Sequence, residues 1–303
     1  MMTNLTLQAF LLKHLKGIGN IGLLKIFQKL YDVDFFSLTS AELAYIGNVR
    51  RQHMVSFEKS HKEILEHIDQ LYEVFHQEGF ISIADESYPK LLLETYNPPL
   101  GLFFKGDISL LKTHCVAIVG ARDFSSYGIE ATQKIVAGLV DDKYTIVSGL
   151  AKGIDTFAHK SAIQYYGKTI AIIGSGLDIF YPKENRELQN FLGKNHLVLS
   201  EFLHGTPPRN YHFPMRNRII AGISQGTCVI EAKKRSGSLI TAQLALENGR
   251  EVFAVPGNIF SKNSTGCHEL IEQGAKCVWN GKHIIEEIEH FKEKTMEVDK
   301  MKS

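Results

Sequence analysis

Apolar residues recur at helical spacing through about the first 80 positions, and then the period changes. "LQAFLLKHLKGIGNIGLLKIFQKLYD" predicts two short helices broken by Gly17, Gly19 and Gly22. "TSAELAYI" starts a third, with Ser40 as its N-cap, and "RRQHMVSFEKSHKEILEHIDQLYEVFHQ" reads as one longer fourth. From there strands and helices alternate. After the short strands "ISIA" and "LGLFFKG", strands are predicted at 116–120, 144–148, 169–173, 196–200, 227–231, 251–255 and 276–279. Helices are predicted between them near 127–141, 154–166, 183–194, 215–225, 238–248 and 265–273. The strands are near-continuous apolar runs ("VAIVG", "IAIIG", "EVFAV"), the pattern of a parallel sheet covered on both faces. The fold class expected is α/β: an extended Rossmann-like, mostly parallel sheet with helices on both faces, preceded by a small all-helical N-terminal domain. The boundaries expected are 1–80 and 81–290, with a frayed polar tail at 291–303.

Composition narrows the classes. A chain of 303 residues with 44% hydrophobic and 22% charged residues is an ordinary globular protein. A formal net charge of +1 argues against a globally basic nucleic-acid binder, so any anion site must be local. The start of the chain does not read as a signal peptide, and no apolar run approaches the roughly 20 residues of a membrane span. Cys115, Cys228, Cys267 and Cys277 form no CxxC pair and read as reduced, buried thiols of a cytosolic protein. The thirteen histidines are scattered, so neither a metal nor a cofactor is expected.

In a parallel α/β sheet, ligands bind beyond the carboxyl ends of the strands. Five predicted strands end in "GARDFSSYG", "SGLAKGIDTFAH", "GSGLDIFYPKEN", "EAKKRSGSLITA" and "PGNIFSKNSTGCHELI". Glycine lets backbone N–H groups approach an anion, and a helix N-terminus adds a favourable dipole. Five such loops on one sheet edge indicate an anion-binding rim. It is not a dinucleotide fingerprint: GxGxxG lacks its third glycine in both "GSGLDI" and "GARDFS", and no Walker A pattern is present.

Arg122, two residues beyond a strand, has either a phosphate or its neighbour Asp123 as partner. Lys183 follows Pro182 in a first helical turn, where a cation is unfavourable unless an anion is near. Phe180 and Tyr181 precede it, and either base stacking or packing accounts for them. From Phe202 to Ile230 there is no acid, while Arg209, Arg216 and Arg218 are present; this predicts a local positive patch, or arginines balanced by acids brought close in the fold. Asp155 and His159 share a helix face, and a structural role is expected for both. Glu231, at a strand end, is the best lone candidate for a catalytic carboxylate.

Together "VAIVGARDFSSYG", "IVSGLAKGIDTFAH", "AIIGSGLDIFYPKEN", "LVLSEF", "FPMRNRIIAGIS", "VIEAKKRSGSLITA" and "EVFAVPGNIFSKNSTGCHELIEQGA" resemble the DNA-processing protein A family (DprA, also called Smf). The resemblance runs from about residue 80 to 280, with the motifs in order. It implies a single-stranded-DNA-binding Rossmann-like domain, a homodimer, and loading of the recombinase RecA during natural transformation. It also implies a sterile-alpha-motif-like N-terminal domain, in which "KGIGNIG" is similar to a helix-hairpin-helix turn. By this likeness Arg122 and Lys183 contact DNA, and the loops Gly174-Ser175-Gly176 and Ser236-Gly237-Ser238 line the same pocket. Gly120, Gly149, Phe180 and Asn185 fall in the same elements, and Arg216 and Arg218 match the "PxRNR" element. Two departures stand out: "GAR" replaces an expected "GSR" or "GTR", and the sequence ends too soon for the C-terminal winged-helix domain that many members carry, so duplex binding by that route is not expected.

The alternative is a nucleotide-processing enzyme similar to the phosphoribohydrolases of the "lonely guy" family, which use PGGxGTxxE. Here "VPGNIFSKNSTG" has Asn258 in place of the second glycine, and "RSGSLITAQLALE" has no acid between Glu231 and Glu247. A non-catalytic binding protein is therefore the expectation.

Overall fold

The computed structural model describes residues 4–302, with side chains through Phe291. Five helices come first: α1 (Leu5–Lys13), α2 (Asn20–Lys29), α3 (Ser40–Ile46), α4 (Met54–Glu66) and α5 (Ile68–Gln77). The hairpin strands β1 (Gly79–Ser82) and β2 (Gly101–Gly106) flank α6 (Lys90–Leu93). The alternating part then runs β3 (Cys115–Val119), α7 (Ser126–Asp141), β4 (Thr145–Ser148), α8 (Ile154–Gln164), β5 (Thr169–Ile173), α9 (Arg186–Asn195) and β6 (Leu197–Ser200). It continues with α10 (His212–Ile223), β7 (Gly226–Val229), α11 (Gly237–Glu247), β8 (Glu251–Ala254), α12 (Thr265–Glu272), β9 (Lys276–Cys277) and α13 (Gly281–Lys302).

The nine strands form one sheet in the order β1-β2-β6-β5-β4-β3-β7-β8-β9. From β6 to β9 all pairs are parallel; β1 and β2 add an antiparallel edge. The order reverses between β3 and β7. Such a switch point leaves a crevice at the strand ends, because the connections on its two sides depart in opposite directions.

Side chains alternate between two core layers, as the pleat requires. Ala117 and Val119 of β3 pack with Ile219, Ile220, Ala242 and Ala245 on the α10/α11 face. Val116 and Ile118 pack with Ile135, Leu139, Ala158 and Ile284 on the α7/α8/α13 face. A third cluster joins Phe10, Leu12, Ile26, Phe35 and Phe57 of the N-terminal helices to Phe80, Leu100 and Phe103 at the antiparallel edge. Phe10, Phe80 and Phe103 meet in edge-on and tilted contacts with centroids 4.9 to 6.0 Å apart. The N-terminal helices and the sheet edge thus share one core.

Several local expectations change. Thr39, not Ser40, caps α3: its side chain accepts from Glu42 N while Glu42 reaches back to Thr39, a full capping box. Ser40 instead bonds His61 at 2.7 Å. The long fourth helix breaks at His67 (φ −115°, ψ 25°), and the turn there lets Phe75 of α5 lie 5.3 Å from Phe10. Gly22 lies inside α2 rather than in the break, packed against the Gly47 carbonyl. The last helix takes in the segment expected as a frayed tail. Cys277 is half-buried, unlike the other three thiols.

Candidate nucleic-acid interface

A cavity of about 440 Å³ opens at the switch point between β3 and β7, lined by Gly120, Arg122, Asp123, Phe213, Arg216 and Ser236–Ser238 among others. Its first wall is the β3 loop. Gly120 has no room for a side chain, since a Cβ there would sit 2.8 Å from Ile154 of α8. That close packing ends in an Ile154 N–H bond to the Ala121 carbonyl at 3.1 Å and turns Arg122 outward. The Arg122 guanidinium lies exposed over the Phe213 ring, 5.4 Å from its centroid. Asp123 is not its partner: that carboxylate pairs with Lys233 at 2.9 Å, and no ion pair to Arg122 occurs among the described residues.

The second wall comes from the ends of β4 and β5. Arg216 is 5% exposed and donates to the carbonyls of Gly149 and Ile172, and its Nε donates to Asn217 Oδ1 at 3.1 Å. Gly149 leaves room for this contact, because a Cβ there would displace the Arg216 guanidinium. Asp155 is buried nearby and accepts from Ala151 N. Burial lowers Arg216 to about 10, with Asp155 pulling it back up. Burial raises Asp155, and Arg216 is the largest opposing influence. His159 packs beneath, bonded through Nδ1 to Thr169 at 2.7 Å, and burial lowers it to about 3. Thr169 Oγ1 donates to the Ile146 carbonyl, so its oxygen accepts from His159 and the ring proton is on Nδ1.

The β5 loop is more structural than its glycine spacing suggests. Gly174 gives its carbonyl to His212 Nδ1 at 3.1 Å, and Gly176 N donates to Thr206. Ser175 is buried, its backbone carbonyl accepting from Ser200 Oγ, and it lines a small recess together with Arg122, Gly149, Gly174 and Arg216. Beyond it, Phe180 is half-buried with the Arg186 guanidinium 5.1 Å above its ring. Tyr181 is exposed and tilted against Phe213. Lys183 starts a short 3-10 turn ahead of α9 and is exposed. Asn185 is buried, donating to the Leu150 carbonyl at 2.9 Å and to Thr156 Oγ1 at 2.8 Å, so it ties two loops together. On the far side Ser236 holds the N-cap position of α11 without a side-chain capping bond, its hydroxyl bonded instead to that of Ser238, while Gly237 meets open space.

The expected positive patch is not a surface patch. Helix α10 begins at His212, so Arg216 and Arg218 lie in its second turn. Arg216 points inward, and Arg218 turns away from the rim: its Nη2 donates to both Glu201 carboxylate oxygens at 2.6 and 2.7 Å, and its Nη1 donates to the Asn97 carbonyl. Only Arg209 of the three is exposed. Glu231 accepts from Ser125 N and Oγ. Sequence reasoning missed Phe213, which supports Arg122, and Lys233, which removes Asp123 from it; Phe213 opens the "FPMRNR" segment, where attention fell on the arginines, and the Lys233 partner is remote in sequence.

The chain matches the family model described as DNA recombination-mediator protein A over residues 79–289. The chain belongs to that family. It is similar to DNA processing protein DprA of Streptococcus pneumoniae, at 46% identity over 273 residues, covering 90% of this chain and 95% of that protein. The crystal structure of that DprA superposes with a TM-score of 0.85 at 45% identity, covering 93% and 97% of the two chains. A Helicobacter pylori structure, described as revealing a single-stranded DNA binding mode of DNA processing protein A, gives a TM-score of 0.62 at 30% identity. It covers 69% of this chain and 95% of that one. Against the DprA fold, the Arg122 cavity occupies the switch point of the segment that the family model matches. No helix among the described residues is long and apolar enough to cross a membrane.

Proposed function

We propose that this protein binds single-stranded DNA at the switch-point cavity and hands it to the recombinase RecA, as a cytoplasmic homodimer acting in natural transformation. One observation carries the binding step: Arg122 stands exposed at the cavity with Asp123 already paired to Lys233 and the other acid of the lining, Asp155, buried beneath. A guanidinium held over an aromatic ring and lacking a carboxylate is suited to a phosphate. Lys183 supplies a second point charge, and Tyr181 and Phe213 offer faces for bases. The names of the relatives support the wider reading: one describes single-stranded DNA binding, and the family description is recombination mediation.

Binding of a labelled oligonucleotide, followed by fluorescence anisotropy, tests it. Arg122→Ala and Lys183→Ala are each expected to weaken binding by about tenfold or more, the value of a lost charge-assisted contact. Unchanged affinity in both variants would overturn the assigned groove. RecA filament formation on coated DNA, with and without this protein, tests the hand-over.

A further inference from the structure

Beyond the Asp123 ridge lies a second opening of about 440 Å³ that the phosphate path leaves unused, lined by Ser125, Tyr127, Glu231, Asn258, Ser261 and Ser264. Its chemistry differs from that of the Arg122 cavity. Glu231 is only 3% exposed, and its two oxygens accept from Ser125 N at 3.0 Å and Ser125 Oγ at 2.6 Å. Helix α7 is built around it: a Cβ at Gly128 would collide with Glu231 Oε2. Two donors do not saturate a carboxylate, which has about four acceptor positions. The rest of the lining is neutral, being serine hydroxyls and the Asn258 amide.

A carboxylate in a half-enclosed pocket repels a phosphate, so this is no second phosphate site. It calls for a donor. Directly after the lining residue Asn258, the loop beyond β8 holds Ile259 and Phe260 out to solvent, 76% and 90% exposed, and the Tyr127 ring is fixed by its hydroxyl bond to the Pro256 carbonyl. Exposed aromatics beside a strand path stack bases. A carboxylate behind them reads an amino group, as Glu and Asp do at cytosine N4. Two residues lie between Arg122 and Ser125, so their backbones are at most about 11 Å apart. The intervening ridge is fixed by Lys233 and by Asn263, which donates to the Asp123 carbonyl at 2.8 Å.

We infer that this pocket takes the amino-bearing edge of a nucleobase from the same strand whose phosphate lies at Arg122, and so discriminates against thymine at that position. The inference rests on the proposed single-strand binding. It gives Glu231 a reading role that needs no catalysis.

The test uses oligo(dT), the same oligomer with one central dC, and the same oligomer with one central N4,N4-dimethyl-dC, which lacks the amino donor. The full-length protein is expected to bind the dC oligomer about tenfold more tightly than oligo(dT), the value of one hydrogen bond to a charged group. The dimethylated base should bring no gain. Glu231→Gln should erase the dC advantage, since an amide can also donate to thymine O4. Phe260→Ala, at an exposed position, should weaken all three oligomers severalfold. Equal affinity of the wild type for all three, or a dC advantage that survives dimethylation or Glu231→Gln, overturns the inference. If Arg122→Ala still weakens binding in that case, the single-strand reading stands without it; if no oligomer binds, both fall.

Discussion

Two arginines in the wall of one cavity are handled in opposite ways. Arg122 is held out over Phe213, while Arg216 is buried against backbone carbonyls and Arg218, two residues on, is spent on Glu201. In the sequence all three look alike, because what separates them is partners more than a dozen residues away. Asn185 was unreadable for the same reason: the motif marks the loop, but the side chain turns inward to Leu150 and Thr156. Glu201 is buried and the Arg218 side chain is 14% exposed, so removing the arginine leaves a buried carboxylate without its ion-pair partner. Arg218→Ala is therefore expected to lower stability by about 3–5 kcal/mol in denaturant titrations. Oligonucleotide affinity of the folded fraction should stay within about twofold. A selective loss of affinity without loss of stability would return Arg218 to the interface.

At the scale of elements most of the pattern was legible. Buried parallel strands are apolar on both faces and stand out as runs, and each of the seven predicted for the parallel part is present within a few residues of its expected bounds. The His67 break was not legible, since nothing in "LEHIDQ" forbids a helix; the bend answers to Phe10, across the core. That shared core has a consequence for truncation. Removing residues 1–77 strips the cover from Phe80, Leu100 and Phe103, three large side chains at most 8% exposed in the intact chain. Loss of buried apolar area at roughly 25 cal/mol per Å² predicts a destabilised, aggregation-prone remainder. A lowered melting temperature and light scattering above that of the full chain are the expected readouts; an unchanged melting temperature would show the N-terminal helices to be dispensable for packing.

For the whole molecule, acid and salt are the informative variables. Burial depresses His14, His61, His159, His196 and His212 below the ordinary histidine value, His159 to about 3. In the unfolded chain these groups take up protons near pH 6.5, which the folded chain resists, so unfolding is favoured as pH falls. The His159 share of stability is present above about pH 6.5 and is lost progressively toward pH 3. Asp155, raised by burial, acts in the opposite sense at the acid end. Denaturant midpoints of wild type and His159→Gln between pH 7.5 and 5 isolate the histidine: the wild-type curve should be the steeper. Binding, in turn, should weaken linearly on a log–log salt plot, by about 0.7 per phosphate neutralised. A flat salt response would contradict a groove built on Arg122 and Lys183. In the second wall of the groove, β4 and β5 part beyond the Ser148–Ala171 pair. The oxygens of Gly149 and Ile172 lie past that last rung, where a peptide group without a partner is costly. One flat, forked cation from α10 reaches both. At the point where the sheet comes unzipped, Arg216 stands in for a missing strand.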